Sequence, residues 1–230
     1  MTPATLPEST DALSPRSVLV VEDEPLLREL IVTALETRGL EVVAAGSPSD
    51  AVRAFRAVDP DGVVMDIDLG PGPNGFDLAE QFVRRATGVA IVFLTNLPDP
   101  RFAGREADEL PAGIAYLRKG AVHEIDVLID TLDATMRGDI GDGMRHDRDP
   151  ERPLASLTRR QVEVLRLVAL GRTNAQIAAQ RGTTVKSAER AVARAFAALG
   201  VDATLDGNLR VEAARRFIGA TGNPLPVGES

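Results

Sequence analysis

Residues 17–25 read SVLVVEDEP, a run of apolar, largely β-branched residues that gives way to carboxylates and a proline. Such a short apolar run is typical of a buried strand. The overlapping segment 25–39, PLLRELIVTALETRG, has helical periodicity, with Pro25 suited to a first turn and Gly39 to a C-terminal cap. The sequence therefore predicts a strand and a helix joined by an acidic turn.

The same alternation of strand and helix continues to about residue 137. Four further strand-like runs lie at 41–45, 62–65, 89–94 and 114–118. Helical segments lie between and after them, at about 47–57, 75–85 and 121–137. The segment 95–114 is rich in Pro, Gly and Asp and leaves room only for a short helix. Five short strands alternating with helices predict an α/β fold, with a parallel sheet covered on both faces.

A polar stretch separates this region from the rest of the chain. Residues 138–153, GDIGDGMRHDRDPERP, have no hydrophobic periodicity, which is typical of a linker. Beyond it the pattern is all helical, and Thr158 and Thr173 are each followed three residues later by Gln, the spacing of a capping box. We place an N-terminal domain at 16–138, a flexible linker at 139–153 and an all-α C-terminal domain at 154–220.

Composition narrows the class of protein. The 230 residues include no cysteine, which excludes a disulfide framework and a thiolate metal site. No apolar run approaches the roughly 18 residues that span a bilayer, and the N-terminus lacks the pattern of a signal peptide. We therefore expect a cytoplasmic protein without membrane contact.

Charge divides the chain in two. Residues 1–150 carry 14 Lys and Arg against 27 Asp and Glu, a net charge of −13, whereas residues 151–230 carry 12 against 7, a net charge of +5. The basic C-terminal part is therefore the part expected to meet a polyanion such as nucleic acid.

Polar residues follow four of the predicted strands. In open parallel sheets, ligands bind beyond the carboxyl ends of the strands, where strand order reverses. The residues at those ends are Glu22, Asp23, Asp66, Thr95 and Lys119. Carboxylate oxygens suit Mg²⁺, and a carboxylate can accept a phosphoryl group as an acyl phosphate, while a hydroxyl and an ammonium can hold phosphoryl oxygens. Alone, each residue has an ordinary structural explanation, but together they predict a phosphoryl-transfer site.

Four segments carry a family resemblance. VLVVEDEP, VVMDIDLG, IVFLT and YLRKG resemble the signature segments of response-regulator receiver domains, in order and at familiar spacing, over residues 16–138. The resemblance implies a doubly wound sheet of strand order 2-1-3-4-5. It also implies a Mg²⁺ site in which Asp23 and Asp66 are direct ligands, Glu22 acts through a metal-bound water, and Asp68 contributes its backbone carbonyl.

The same resemblance implies roles for the remaining residues of the rim. Asp66 would be the phospho-acceptor, Thr95 and Lys119 would hold the phosphoryl oxygens, and Tyr116 would reorient when Thr95 is drawn inward. Asn96 departs from the family, which usually has a small residue after the threonine. A larger amide there predicts narrower access to Asp66 and slow self-dephosphorylation.

Residues 157–200 resemble the LuxR-type helix-turn-helix module of NarL/FixJ-like regulators. Helices are expected at 158–170, 174–180 and 184–199, with the third entering the major groove of DNA. On it, a stripe of basic residues recurs every four positions, formed by Lys186, Arg190 and Arg194, and we expect these to contact DNA. The opposite face is expected to be core, formed by Val185, Ala188, Val192, Ala195 and Phe196.

Two departures affect this module. Glu189 stands among the basic residues of the third helix, so the operator sequence cannot be inferred by analogy. An insertion, VDATLDGNL, precedes the last predicted helix at about 209–218, which makes dimerisation through that helix less secure.

Together these features predict a transcriptional response regulator of a two-component system. A histidine kinase would phosphorylate Asp66, and the C-terminal domain would bind double-stranded DNA, with a homodimer in at least one phosphorylation state. The protein would dephosphorylate itself without being a turnover enzyme. Two alternatives remain open from sequence: a phosphohydrolase that uses Asp66 as nucleophile, and a regulator that acts by protein–protein interaction with weak or no DNA binding.

Overall fold

The computed structural model describes residues 16–106, 109–110, 113–201 and 208–221. The strands are β1 (Ser17–Val21), β2 (Glu41–Ala45), β3 (Gly62–Met65), β4 (Ala90–Thr95) and β5 (Ile114–Arg118). The helices of the N-terminal region are α1 (Pro25–Glu36), α2 (Pro48–Val58), α3 (Gly75–Arg85) and α4 (Ile125–Met136). Those of the C-terminal region are α5 (Arg159–Ala169), α6 (Asn174–Gln180), α7 (Val185–Ala198) and α8 (Leu209–Thr221).

The five strands form one parallel sheet in the order β2-β1-β3-β4-β5, which confirms the predicted fold. Strand order reverses between β1 and β3, so the crevice beyond their carboxyl ends is the expected ligand position. Successive strand side chains point to opposite faces. Leu19 and Val21 accordingly join one apolar layer, and Val18 and Val20 join the other.

Local signals account for most element boundaries. Ser47 accepts a hydrogen bond from the Asp50 amide and begins α2, as predicted. In α1 the helix ends at Glu36, before Gly39, whose φ of +79° suits a glycine. The last helix of the N-terminal region begins later than predicted, because residues 119–121 form a 3₁₀ turn ahead of α4.

The segment after β4 does not form a regular α-helix. Its four-residue 3₁₀ turn, Pro100–Ala103, stands where a short helix was expected. Asp99 caps the turn by accepting a hydrogen bond from the Arg101 amide, and Gly104, with φ of +78°, ends it. The prolines and the left-handed glycine prevent a longer helix here.

The C-terminal helices follow the predicted pattern. Thr158 and Thr173 each form the expected capping box, with Gln161 and Gln176 respectively. Val162, Leu165 and Val168 of α5 are buried. The prediction for Val185 was wrong: this first residue of α7 is 46% exposed, and the buried residues of the helix start at Ala188.

The predicted linker lies along the edge strand β5. It contains two 3₁₀ turns, Asp142–Met144 and His146–Arg148. A parallel bridge joins Tyr116 to Arg145, and the Arg118 amide donates to His146 Nδ1 at 3.1 Å. These contacts cover the open hydrogen-bonding edge of the sheet. The exact boundaries of domains and linker stay a prediction.

Within the described ranges, no helix is both long and apolar enough to cross a membrane.

Gly75 generates the first testable prediction. A Cβ at this position would lie 2.4 Å from the Asp66 carbonyl oxygen and 2.8 Å from Ile67 Cα, both of them backbone atoms. Because the backbone must shift to relieve these contacts, Gly75→Ala should lower the free energy of unfolding by about 1–3 kcal/mol in urea denaturation. Gly141→Ala is the matched control, since nothing lies within 4 Å of its added Cβ. Equal stability of the two variants would contradict this account of the β3–α3 connection.

Candidate functional site

The predicted polar residues meet at the carboxyl edge of the sheet. The carboxylates of Glu22, Asp23 and Asp66 offer oxygen atoms that all lie within 4.8 Å of one another. Glu22 and Asp66 are buried, whereas Asp23 is exposed. These three line a cavity of about 220 Å³ together with other predicted residues of the rim, namely Asp68, Thr95 and Lys119.

Backbone hydrogen bonds continue the sheet into this site. The Glu22 amide donates to the Ala45 carbonyl at 3.1 Å, and the Asp66 amide donates to the Val21 carbonyl at 2.9 Å. The Arg28 guanidinium donates to the Glu22 carbonyl at 2.6 Å. The acidic residues are therefore held by the ends of β1 and β3 and not by a free loop.

Lys119 joins two of the carboxylates. Its Nζ lies 2.6 Å from Asp66 Oδ2 and 2.8 Å from Glu22 Oε2. Burial alone would lower the pKa of Lys119, but the charges of Asp66 and Glu22 outweigh it and raise that pKa. The ammonium is therefore fully charged at neutral pH and fixed beside Asp66.

Burial raises the pKa of Glu22 to about 7, although Lys119 acts in the opposite direction. Burial, with the neighbouring charge of Asp66, also raises the pKa of Asp68. In both groups, removal of the carboxylate from water is the largest cause, and the charge of Asp66 adds to it.

Both oxygens of Asp66 are oriented. Oδ1 accepts from the Ile67 amide at 2.5 Å and from the Asp68 amide at 3.2 Å. Oδ2 accepts from Lys119. The carboxylate therefore has a fixed orientation toward the cavity that it lines.

The donor set fits a hard cation. Three carboxylates within mutual reach supply oxygen ligands, which Mg²⁺ prefers, and their clustering leaves negative charge that a divalent ion would neutralise. Two of the three are buried, which limits the water available to screen that charge. The roles of the individual ligands, including the Asp68 carbonyl, stay predictions.

Thr95 and Tyr116 both form hydrogen bonds with the backbone of Leu97, a residue that the sequence did not indicate. Both are fully buried. The Leu97 amide donates to Thr95 Oγ1 at 3.3 Å, and Tyr116 OH donates to the Leu97 carbonyl at 3.0 Å. No pattern around Leu97 signals this position, because it depends on how β4 and β5 lie side by side. Asn96 is exposed and lines the cavity, so its predicted effect on access stays a prediction.

One lining residue of the cavity comes from a distant part of the chain and was not indicated by the sequence. Thr221, the last residue of α8, lines it beside the carboxylates, although it belongs to the C-terminal region.

The predicted DNA-contacting stripe lies on the outer face of α7. Lys186, Arg190 and Arg194 are all exposed, as is Glu189. Ala188, Val192, Ala195 and Phe196 of the same helix are buried. The stripe and the core thus occupy separate faces of one helix, and the DNA contacts themselves stay a prediction.

Comparison with known families matches both regions. Residues 18–109 match the family model described as a response regulator receiver domain. Residues 155–201 match the one described as bacterial regulatory proteins, luxR family.

Two similar proteins match most of the chain. The transcriptional regulatory protein LiaR of Bacillus subtilis is 26% identical over 195 residues, which are 80% of this chain and 90% of LiaR. The response regulator UvrY of Escherichia coli K12 is 29% identical over 195 residues, 80% of this chain and 88% of UvrY.

A solved structure shares the fold of both regions. The structure of RcsB from Salmonella enterica serovar Typhimurium, bound to promoter rprA in the presence of phosphomimetic BeF₃⁻, aligns with a TM-score of 0.57. The sequences are 19% identical, and the alignment covers 88% of this chain and 98% of that chain. At this identity the likeness shows the fold.

The pKa of Glu22 generates a prediction for metal binding. With a pKa of about 7, the Glu22 carboxyl is mostly protonated at pH 6 and mostly ionised at pH 8. Because ligands bind metal in their ionised form, Mg²⁺ should bind about tenfold more weakly at pH 6 than at pH 8 in calorimetric titrations. Glu22→Gln should bind weakly at both pH values, whereas Glu41→Gln, an exposed control, should behave as wild type. A pH dependence that survives in Glu22→Gln would assign the titration to another group.

Proposed function

The chain belongs to the LuxR family of bacterial response regulators, and on that premise we propose that phosphorylation of Asp66 by a histidine kinase controls its binding to DNA. One observation carries the proposal. The buried Asp66 carboxylate is oriented by backbone amides on one oxygen and by Lys119 on the other, inside a cavity that further acidic residues and Thr95 also line. Sites of this kind suit a carboxylate that accepts and holds a phosphoryl group.

The transfer step balances with a phosphohistidine donor. An Asp66 carboxylate oxygen attacks phosphorus, the new P–O bond forms and the P–N bond breaks, with the electron pair leaving on the imidazole nitrogen. The product is an acyl phosphate on Asp66. Lys119, already 2.6 Å from the carboxylate, is placed to pair with a phosphoryl oxygen.

We assign Mg²⁺ to the acidic cluster, held by Asp23 and Asp66, by Glu22 through water and by the Asp68 carbonyl. When bound there, the ion supplies positive charge that offsets the charge of the incoming phosphoryl group. Water attack on the acyl phosphate would regenerate Asp66, so we infer a self-limiting acceptor and not a turnover enzyme.

Phosphorylation of Asp66 would affect nearby buried residues through the hydrogen bonds that connect Thr95, Leu97 and Tyr116. Thr95 Oγ1, which now accepts from the Leu97 amide, would donate to a phosphoryl oxygen instead. Leu97 also accepts from Tyr116 OH, so a shift of Thr95 disturbs both buried residues. Switches of this type act by biasing an element with two arrangements.

On the output side we propose that α7 enters the major groove of double-stranded DNA and that a homodimer forms in at least one phosphorylation state. The exposed stripe of Lys186, Arg190 and Arg194 supports the first point, because cations on that face can neutralise phosphates. DNA as the proposed partner supports a cytoplasmic location for the protein.

The function is tested by selecting genomic DNA fragments with wild-type protein and with Asp66→Asn, each with and without beryllofluoride. Wild type should enrich a sequence motif, and beryllofluoride should change that enrichment, because it mimics the phosphoryl group on Asp66. Asp66→Asn should not respond to beryllofluoride. If beryllofluoride also changed DNA enrichment by Asp66→Asn, its effect on DNA binding would not depend on Asp66. Selections without any enriched motif would favour the protein-interaction alternative.

The basic stripe generates a further prediction. Arg190→Ala and Arg194→Ala should each weaken DNA binding, and a side chain that contacts a phosphate should reduce the slope of log K against log salt by about 1 when removed. Arg215→Ala is the control, since this arginine of α8 has a side chain that is 82% exposed and lies outside the stripe. Titration by fluorescence anisotropy at several salt concentrations measures both quantities. Unchanged slopes in the α7 variants would remove this face from the interface.

A further inference from the structure

Of the three clustered carboxylates, that of Asp23 is held differently from the other two. Lys119 pairs with both Glu22 and Asp66. Among the residues that the structure describes, none forms a hydrogen bond or an ion pair with the Asp23 carboxylate, which is also exposed. The position of this carboxylate therefore depends on the main chain that carries it.

The side chain of Arg28 in α1 holds that stretch of main chain. Its Nη1 donates to the Glu22 carbonyl at 2.6 Å and to the Asp23 carbonyl at 3.3 Å. These carbonyls belong to the peptide groups before and after the Asp23 Cα. The guanidinium thus restrains the backbone on both sides of the Asp23 side chain.

Other restraints on this turn act on one side of Asp23 only. The Glu22 amide donates to the Ala45 carbonyl at 3.1 Å, which fixes the chain before Asp23. After it, Glu24 is the N-cap of α1 but makes no side-chain capping hydrogen bond. The contact that spans both sides is therefore the one made by Arg28.

Gly46, directly after β2, leaves room for the guanidinium. A Cβ at Gly46 would lie 3.0 Å from Arg28 Nη1 and 3.2 Å from Arg28 Cζ. Because the φ of this glycine is outside the left-handed region, alanine meets a flexible side chain there and not a strained backbone. A methyl group at position 46 is therefore expected to shift the guanidinium while leaving its charge in place.

Divalent cations differ in how strongly they depend on ligand placement. Mg²⁺ demands near-ideal octahedral geometry at short distances, whereas Ca²⁺ accepts longer distances and a flexible ligand set. A turn that allows the Asp23 carboxylate to move should therefore weaken the binding of Mg²⁺ more than that of Ca²⁺.

We propose that Arg28 is a positioning residue for the cation site: by holding the main chain on both sides of Asp23, it sets a preference for Mg²⁺ over Ca²⁺. The inference rests on the proposed function, because it concerns the metal assigned to the same acidic cluster. Arg28 acts here through the backbone. A guanidinium that acted through its charge alone would repel the cation, so its removal would raise the affinity.

The test titrates the metal-free, full-length protein with Mg²⁺ and with Ca²⁺ in a calorimeter. Arg28→Ala removes the guanidinium, Gly46→Ala shifts it, and the double variant combines the two changes. Arg38→Ala is the arginine control, since this guanidinium pairs with Asp126. Gly141→Ala is the glycine control, since nothing lies within 4 Å of its added Cβ.

Arg28→Ala should bind Mg²⁺ about tenfold more weakly than wild type, as expected for a residue that orients a metal ligand, with a smaller loss for Ca²⁺. Gly46→Ala should show a smaller loss of Mg²⁺ affinity. That loss should disappear in the Arg28→Ala background, because the methyl group then has no guanidinium to shift. In the metal-free protein, amide hydrogen exchange of residues 22–24 should be faster in Arg28→Ala. Both controls should match wild type.

An Mg²⁺ affinity that Arg28→Ala leaves unchanged or raises would overturn the assignment. Equal losses for Mg²⁺ and Ca²⁺ would also overturn it, because they would indicate a general loss of structure. An additive effect of Gly46→Ala in the double variant would contradict it as well, since the glycine would then act independently of Arg28. Failure of the proposed function looks different: wild type would then bind Mg²⁺ no better than Asp23→Asn, whereas failure of the Arg28 assignment leaves wild-type binding intact.

Discussion

The structure depends on the burial of two carboxylates beside a single ammonium at the end of a parallel sheet. Glu22 and Asp66 lie 2.8 Å and 2.6 Å from Lys119, and Asp23 lies close by. Three carboxylates against one ammonium leave about two excess negative charges in a partly desolvated cavity, which is costly. The pKa of Glu22 is raised to about 7 mainly because the carboxyl is buried, and the charge of Asp66 acts in the same direction. A divalent cation would offset this negative charge, so an acidic lining is compatible with a site that also receives an anionic group.

Much of this site could be predicted from the sequence because its residues are fixed by strand ends. When five strands are parallel and in register, the residue after each strand is carried to one edge, whatever the loops do. That holds for Glu22 and Asp66, whose amides continue the hydrogen bonding of β1 and β3. The capping boxes at Thr158 and Thr173 were equally accessible, because they depend on residues three positions apart.

The parts that the sequence could not predict depend on contacts between distant segments. Leu97 links Thr95 to Tyr116 only because β4 and β5 are neighbours. In the sequence, nothing distinguishes Asp99 from other acidic loop residues. Its burial depends on arginines from both sides of the domain boundary. Thr221 has no local feature that places it in the cavity. Periodicity assigned Val185 to the core, but it is the first residue of α7 and is 46% exposed, so the pattern did not locate the end of the buried face.

The short turn after β4 explains why the two domains can share one surface. A four-residue 3₁₀ turn covers little of the sheet, so the Phe102 ring can be buried only by another part of the chain. Burial of a ring of this size is favourable because it removes a large apolar surface from water. Phe217 of the C-terminal domain supplies that partner and leaves Phe102 only 8% exposed. The apolar contact gives docking its free energy, whereas the buried ion pairs at Asp99 fix its geometry. The same loop begins at Thr95 and Leu97, so any rearrangement that the cavity imposes on its first residues acts on the Asp99 cluster only two residues away. The loop that carries these interdomain contacts therefore begins at the cavity itself, so the two ends of one short segment face the acidic site and the C-terminal domain.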